Sequence, residues 1–160
     1  MNLNIILICL FVIFSGFGLN ASNAIDTDLE DYRWKNRLVL IFATGPDSDS
    51  YLQQIEKMNS DKDGLQERDV LVFSLFQQGT SYLNDKAISQ ESAERIIARY
   101  NSGQKEFRFI LIGKDGGVKL DKEMIVSTGD LFGNIDSMPM RRQEMRSIQR
   151  SDNESGPNHF

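Results

Sequence analysis

The stretch "RLVLIFATGPDSD", residues 37–49, contains the transition around which the chain is organised. Its first seven residues form an apolar run of the kind expected of a strand that is covered on both faces. A Gly-Pro pair then ends the strand, and Asp47 or Ser48 can cap a following helix. The stretch therefore predicts a buried strand at 37–43 that turns sharply into a helix.

Two further apolar runs alternate with helical patterns along the chain. The segments "DVLVFSLF" (69–76) and "FRFILIG" (107–113) predict strands of the same buried kind. Between the three strands, "SDSYLQQIEKMN" (48–59) and "SQESAERIIARY" (89–100) place apolar residues at helical spacing, the second after a Ser89 cap. Alternation of this kind indicates a β-α-β-α-β unit with a parallel sheet.

A hairpin and two helical segments complete the pattern. Glycines in "KDGG" can supply the positive φ of a tight turn, which predicts an antiparallel strand near 118–125. Ser127 or Thr128 can cap the next helix, and Pro139 favours a break near 137–139 because proline fits the first turn of a new helix. The resulting order βαβαββα, with a central mixed four-stranded sheet flanked by helices, is a thioredoxin-like α/β fold.

The loop after the first strand resembles a thioredoxin active-site loop in sequence but lacks the cysteines of such a site. In a thioredoxin active-site loop the Gly-Pro pair lies between two cysteines, whereas here the flanking residues are Thr44 and Asp47, so there is no CxxC. The only cysteine, Cys9, lies near the N-terminus, and the only histidine, His159, lies in a polar tail. We therefore expect no thiol oxidoreductase or peroxiredoxin activity, and we assign no catalytic residue, metal site or cofactor.

Three stretches of the chain carry a family resemblance. They are "DYRWKNRLVLIFAT" (31–44), "FILIGKDGGVKL" (109–120) and "LFGNIDSMPMRRQEM" (131–145), whose part "IDSMPMRRQEM" (135–145) is the most specific. Together they resemble a thioredoxin-like domain of unknown function found alone in bacterial exported proteins and as repeats in vertebrate extracellular proteins. Those include the sushi-repeat proteins and the matrix protein known as down-regulated by oncogenes. The resemblance spans roughly 27–147 and implies the fold, an exported location and a matrix-like or adhesive role for the eukaryotic members, without catalytic residues.

The N-terminus predicts export. Residues 5–17 are apolar and uncharged, and Ser22 and Ala24 occupy the −3 and −1 positions of a cleavage site. We interpret residues 1–24 as a signal peptide, which places the protein in the periplasm or outside the cell. In the alternative, the segment stays uncleaved and anchors a structural protein of the cell envelope; only then does the chain contact a membrane.

Charge is distributed unevenly over the rest of the chain. The formal net charge is −5, yet the segment "PMRRQEMRSIQR" (139–150) carries +3, which leaves −8 elsewhere. An acidic body argues against nucleic-acid binding, for which a basic face is expected. We place the folded domain at 25–150 and a disordered polar tail at 151–160.

The basic segment supplies candidate binding residues. On a helix that starts near Pro139, the side chains of Arg142, Arg146 and Arg150 recur every four residues and repel one another. Such a row favours an acidic neighbour, either the protein's own body in an internal clamp or another protein or anionic surface. Arg141, Arg142 and Arg146 are therefore our candidates for contact with an unknown acidic partner.

Asp47 and Asp49 give a second candidate site in the loop after the first strand. Two carboxylates there can belong to a solvated, capped turn, to a cation or partner site, or to a non-thiol enzyme, including a metal-dependent one. A weaker pattern follows at 59–70, where Asn59, Asp61 and Asp63 match the first positions of a calcium loop. Its twelfth position lacks the required Glu, so we interpret 59–70 as a polar connection.

Two aromatic residues precede the first strand. Tyr32 and Trp34 can close the end of a small core or form a stacking platform for a sugar or peptide. The chain as a whole predicts a non-redox, exported, thioredoxin-like domain that acts as a binding module.

Overall fold

The computed structural model describes residues 24–154, so residues 1–23 of the predicted signal peptide and the last six residues of the chain lie outside the described part. The elements in chain order are a 3₁₀ turn (Leu29–Tyr32), β1 (Arg37–Ala43), α1 (Asp49–Ser60), α2 (Lys62–Glu67), β2 (Val70–Phe76), β3 (Tyr82–Leu83), β4 (Lys86–Ala87), α3 (Gln90–Tyr100), β5 (Phe107–Ile112), β6 (Val118–Lys122), α4 (Thr128–Asp136) and α5 (Pro139–Glu154).

These strands form one mixed sheet in the order β4-β3-β2-β1-β5-β6. β1 runs parallel to β2 and antiparallel to β5, and the remaining pairs are antiparallel. The parallel arrangement expected of the first three predicted strands therefore holds for β1 and β2 and is wrong for β5. The predicted thioredoxin-like fold is confirmed, with the four predicted strands as β2-β1-β5-β6. Two strands of two residues each extend the sheet beyond the prediction because the chain after β2 turns back on itself before α3.

Strand β1 is the centre of the fold, since all seven of its residues are buried. Leu40 and Phe42 face one apolar cluster, which α3 covers. Val39 and Ile41 face a second cluster, which α1, α2 and α4 cover through Met58, Leu65, Leu131 and Ile135. A fully buried side chain of this size contributes about 1.5–3 kcal/mol, so a strand buried on both faces accounts for much of the stability.

Local sequence signals set most of the boundaries. Ser89 and Ser127 cap α3 and α4, each accepting a hydrogen bond from the backbone N–H three residues later. The predicted break at Pro139 is confirmed, because α4 ends at Asp136 and α5 begins at the proline. In the β5–β6 hairpin Gly116 has a φ of 81°, the left-handed conformation that the turn requires.

Two predicted segments differ from the structure. Part of the polar connection at 59–70 forms helix α2, in which Gly64 allows close packing: a Cβ there would lie 2.7 Å from the Phe132 ring. Helix α5 continues to Glu154, four residues into the predicted disordered tail. Within residues 24–154, no helix is long and apolar enough to cross a bilayer.

Candidate functional site

The loop between β1 and α1 presents its carboxylates to solvent. Asp47 and Asp49 are both exposed, and the Asp47 carboxylate folds back over Gly45, where an added Cβ would meet Oδ1 at 2.9 Å. Ser48 occupies the N-cap position, but its side chain makes no capping hydrogen bond and its buried Oγ has no hydrogen-bond partner among the described residues. The expected capping role thus falls to the Ser48 backbone alone.

The described residues provide no thiol and no metal-binding cluster at this loop. Residues 24–154 contain no cysteine, and no group of three or more His, Cys, Asp or Glu side chains in that range is arranged to hold a metal ion. Farther along, Asp61 accepts a hydrogen bond of 2.7 Å from Thr128 Oγ1, and Asp63 lies on α2. The residues that match a calcium loop therefore lie on helices and in a contact between helices.

A cluster of eight charged side chains lies at the opposite edge of the sheet, where β1 and β2 begin. We call it the charge cluster; its members are Arg37, Glu67, Arg68, Asp69, Lys114, Asp136, Arg141 and Glu144. Four cations and four carboxylates meet there. The cluster connects α2, α4 and α5 to the ends of β1, β2 and β5.

Arg141 is the link between helices in this cluster. Only 2% of the residue is exposed, and its Nη1 donates to the Glu67 main-chain oxygen at 3.1 Å while Nη2 pairs with the Glu67 carboxylate. Its Nε donates to Asp136 Oδ1 at 3.2 Å. Arg68 holds the same Asp136 carboxylate through two bonds, of 3.0 and 2.7 Å. Arg141 therefore has the contacts expected of the internal clamp, in which the protein's own body supplies the acidic neighbour.

A second link joins α5 to the start of β1. The guanidinium of Arg37, a residue only 1% exposed, donates through Nη2 to both oxygens of Glu144 at 3.2 Å and through Nη1 to the Arg68 carbonyl at 2.9 Å. Lys114 donates to Glu144 at 2.8 Å and to Asp69 at 2.8 Å. Partnered charges of this kind avoid the large cost of burying an isolated ion.

The charge cluster lowers the pKa of one of its carboxyl groups, that of Asp136. Burial acts to raise the pKa of the Asp136 carboxyl, but the hydrogen bonds and positive charges of Arg68 and Arg141 outweigh it, so this pKa lies below its ordinary value of 3.8. Three cluster members, Asp136, Arg141 and Glu144, come from the stretch "IDSMPMRRQEM" that is most specific to the family resemblance. The side chains of that stretch therefore hold α5 against β1, α2 and α4.

The other arginines of α5 face away from the body. Arg142, Arg146 and Arg150, which we call the arginine face, are exposed and form no ion pair with a described side chain. Each of the other seven arginines in residues 24–154 forms at least one ion pair. Arg141 thus fits the internal-clamp interpretation of the basic segment, whereas the arginine face has no acidic neighbour among the described side chains.

A groove that the sequence did not indicate lies at the other edge of the sheet, beside the end of β2. Its volume is about 940 Å³, and amide side chains such as those of Gln77, Gln78, Asn101 and Gln104 contribute to its walls. Gln77 donates to the carbonyls of Gln104 and Lys105 at 3.4 and 3.2 Å. No local pattern marks these residues, because the segments that form the walls are far apart in sequence.

The fold places the chain among the thioredoxin-like α/β proteins, with a loop in the redox position that holds no cysteine. Two solved structures are similar at the level of the fold. They are the reduced 2-Cys peroxiredoxin of Plasmodium vivax (TM-score 0.50, 16% identity, 74% of this chain and 85% of that one) and thioredoxin peroxidase I of Plasmodium yoelii (TM-score 0.50, 18% identity, 73% and 80%).

The particular family is defined by sequence. Residues 28–144 match the family described as "Domain of unknown function (DUF4174)", and the chain belongs to that family. It is also 28% identical over 144 residues to coiled-coil domain-containing protein 80 of Danio rerio, in an alignment that covers 80% of this chain and 16% of that protein. The chain thus spans about a sixth of that relative, and the family resemblance predicted from sequence is confirmed.

Proposed function

We propose that this domain is an exported, non-redox binding module whose partner contacts the arginine face of α5. The observation that carries the proposal is the difference between the arginines that form ion pairs with carboxylates and those that do not. Seven arginines of the described chain are paired with carboxylates, and the three that are not lie together on one side of one helix. The partner that fits this surface is a protein with an acidic patch.

The arginines of the arginine face repel one another, and without a partner this repulsion destabilises α5. A helix rises about 1.5 Å per residue, so residues four apart are separated by about 6 Å along the axis. Like charges at that spacing destabilise a helix by about 0.2–0.5 kcal/mol per pair. Carboxylates of a partner would replace this repulsion with attraction, and complementary charge also accelerates association.

The charge cluster supplies the rigidity that such a surface needs. Arg141 and Glu144 lie on α5 between Pro139 and Arg146, and their contacts hold the first turns of the helix against α2, α4 and β1. A surface that is already ordered loses less conformational entropy when it binds. The buried side of α5 therefore fixes the position of the exposed side.

The charge of the rest of the protein limits the kind of partner. The exposed apolar residues of α5, Met140 (37% exposed) and Ile148 (50% exposed), lie two positions from the nearest arginines of the arginine face and therefore point away from that face. Nucleic-acid binding does not fit, because the body of the protein is acidic. Export rests on the apolar N-terminal segment and its cleavage pattern.

A site-specific cross-link tests this function. A photo-reactive residue replaces Gln149, beside the arginine face, and in a control protein it replaces the exposed Lys57 on α1. We expect position 149, and not position 57, to capture a protein in the native envelope fraction. Mass spectrometry then identifies the captured protein and the acidic segment that the cross-link joins.

Charge reversal makes the test specific. The double variant Arg142→Glu, Arg146→Glu is expected to abolish capture at position 149. The matched control is Arg95→Glu, Arg99→Glu, which reverses two exposed arginines at the same spacing on α3 and should leave capture intact. Equal capture by both double variants, or equal cross-linking from positions 57 and 149, would show that the arginine face is not the binding surface.

A further inference from the structure

Trp34, the only tryptophan of the chain, is held in an unfavourable backbone conformation and exposed to solvent. Its φ is 65°, in the left-handed region that L-residues with large side chains rarely adopt, and 61% of the residue is exposed. Left-handed backbone and exposed aromatic surface each cost free energy. A glycine or an asparagine would meet the needs of the turn at lower cost.

The hydrogen bonds of the turn account for the left-handed backbone at residue 34, but they do not require a tryptophan side chain there. The Trp34 N–H donates to the Lys114 carbonyl at 2.7 Å, and the next two N–H groups donate to the Tyr32 carbonyl at 3.0 and 2.9 Å. The first bond joins the turn to the β5–β6 hairpin, and the other two close the turn itself. All of them come from the main chain, so they would form with any residue that tolerates this conformation.

The Trp34 ring contributes little to the packing of the domain. Tyr32 closes the end of the core, with its ring 5.9 Å from that of Phe73 and its hydroxyl 2.8 Å from Thr27 Oγ1. Trp34 belongs to neither apolar cluster, and its ring contact in the described structure is the Arg33 guanidinium, 5.5 Å from the ring centre. The two aromatics that the sequence grouped together therefore have different roles.

The surroundings of Trp34 place it at the same edge of the sheet as the start of α5. Lys114, whose carbonyl binds the Trp34 N–H, also donates through its side chain to Glu144 of α5. Arg33 and Lys35 flank the ring on an exposed turn, and in the described structure their side chains donate hydrogen bonds to Glu30 and to a main-chain oxygen, respectively. An aromatic group with cations on both sides is presented to solvent.

We propose that Trp34 is the anchor residue of the protein interface described above, and that the partner offers an apolar pocket rimmed by carboxylates. This inference rests on the proposed function. Tryptophan is among the residues that contribute most to protein–protein binding when they enter a pocket. Arg33 and Lys35 match an acidic rim, as the arginine face does, and charge complementarity of this kind selects the partner.

The experiment uses a phage library of random short peptides, selected on the purified protein. We expect the selected peptides to combine aromatic or aliphatic residues with Asp and Glu. The Trp34→Gly variant should weaken their binding by about 30-fold or more, the loss typical of an interface hot spot. Its thermal midpoint should equal or exceed that of the parent protein because glycine accepts the left-handed turn, so lost binding cannot be attributed to misfolding.

Fluorescence and a matched variant complete the test. Because Trp34 is the only tryptophan, a bound peptide should shift its emission to shorter wavelength. Leu52→Ala, which trims an exposed apolar residue on α1, should leave binding unchanged. Peptides that bind Trp34→Gly as tightly as the parent, or that leave the emission unchanged, would overturn the proposal, and so would a library without binders.

The same peptides separate this inference from the proposed function. Binding that is lost with Arg142→Glu, Arg146→Glu and kept with Trp34→Gly would leave the arginine face as a binding surface and remove Trp34 from it. Binding that survives both changes would contradict both proposals.

Discussion

Replacing Arg141 with methionine should destabilise the domain strongly, because the side chain is buried and fully engaged. Methionine keeps most of the apolar volume and removes three hydrogen bonds, one to Asp136 and two to Glu67. Breaking a buried ion pair by removing one partner costs about 3–5 kcal/mol. The Glu67 carboxylate is largely exposed and Asp136 keeps Arg68, so we expect the lower end, about 3 kcal/mol.

Urea unfolding followed by far-ultraviolet circular dichroism measures this loss, with an unchanged m-value as evidence that the same surface unfolds. Arg142→Met is the matched control, since the neighbouring arginine is exposed and unpaired among the described side chains; its effect should stay within about 0.5 kcal/mol. Arg141→Lys should lie between the two, because an ammonium cannot reproduce the planar fork. A loss below about 1 kcal/mol for Arg141→Met, or equal losses at both positions, would refute the clamp.

Two other contacts give predictions of their own. The pKa of Asp136 is lowered in the folded state, so the contribution of this carboxylate to stability is complete above the ordinary pKa of 3.8 and is lost as the pH falls through the lower folded-state value. The Asp136→Asn variant should therefore be less stable than the parent protein at neutral pH, and its stability should fall less steeply below pH 3.8. Urea titrations at several pH values measure both effects. Gln54 is fully buried, and its side-chain amide exchanges two hydrogen bonds, of 3.0 and 2.8 Å, with the backbone of Val126. The Gln54→Leu variant should therefore lose about 2–4 kcal/mol of unfolding free energy, measured by calorimetry. Gln53→Leu, on the exposed side of α1, is the control and should leave the stability almost unchanged.

Much of the fold could be predicted because its signals are local. The run at 37–43 matches β1 to the residue, since a strand buried on both faces needs a continuous apolar segment. Pro139 likewise marks the start of α5 through the geometry of its own ring. The edge strands β3 and β4 were missed because two residues each are too few to show a period.

The candidate site was predicted less completely. The row of arginines on α5 was visible from spacing alone, but spacing did not distinguish Arg141 from Arg142, which are adjacent in sequence and differ in burial. Nor did it distinguish Tyr32, which packs against the core, from Trp34, which does not. In both cases the decision depends on the direction in which a side chain leaves the backbone.

By itself, the sequence determined the order of helices and strands, the thioredoxin-like class and the absence of a CxxC pair, because each follows from residue identity or from short-range periodicity. The tertiary structure decided which charges are partners. Arg37 and Glu144 are 107 residues apart, and Arg141 and Glu67 are 74 apart, yet each pair is in contact. Ion pairing depends on distance in space, and only the packing of α2, α4 and α5 against the sheet brings these groups together.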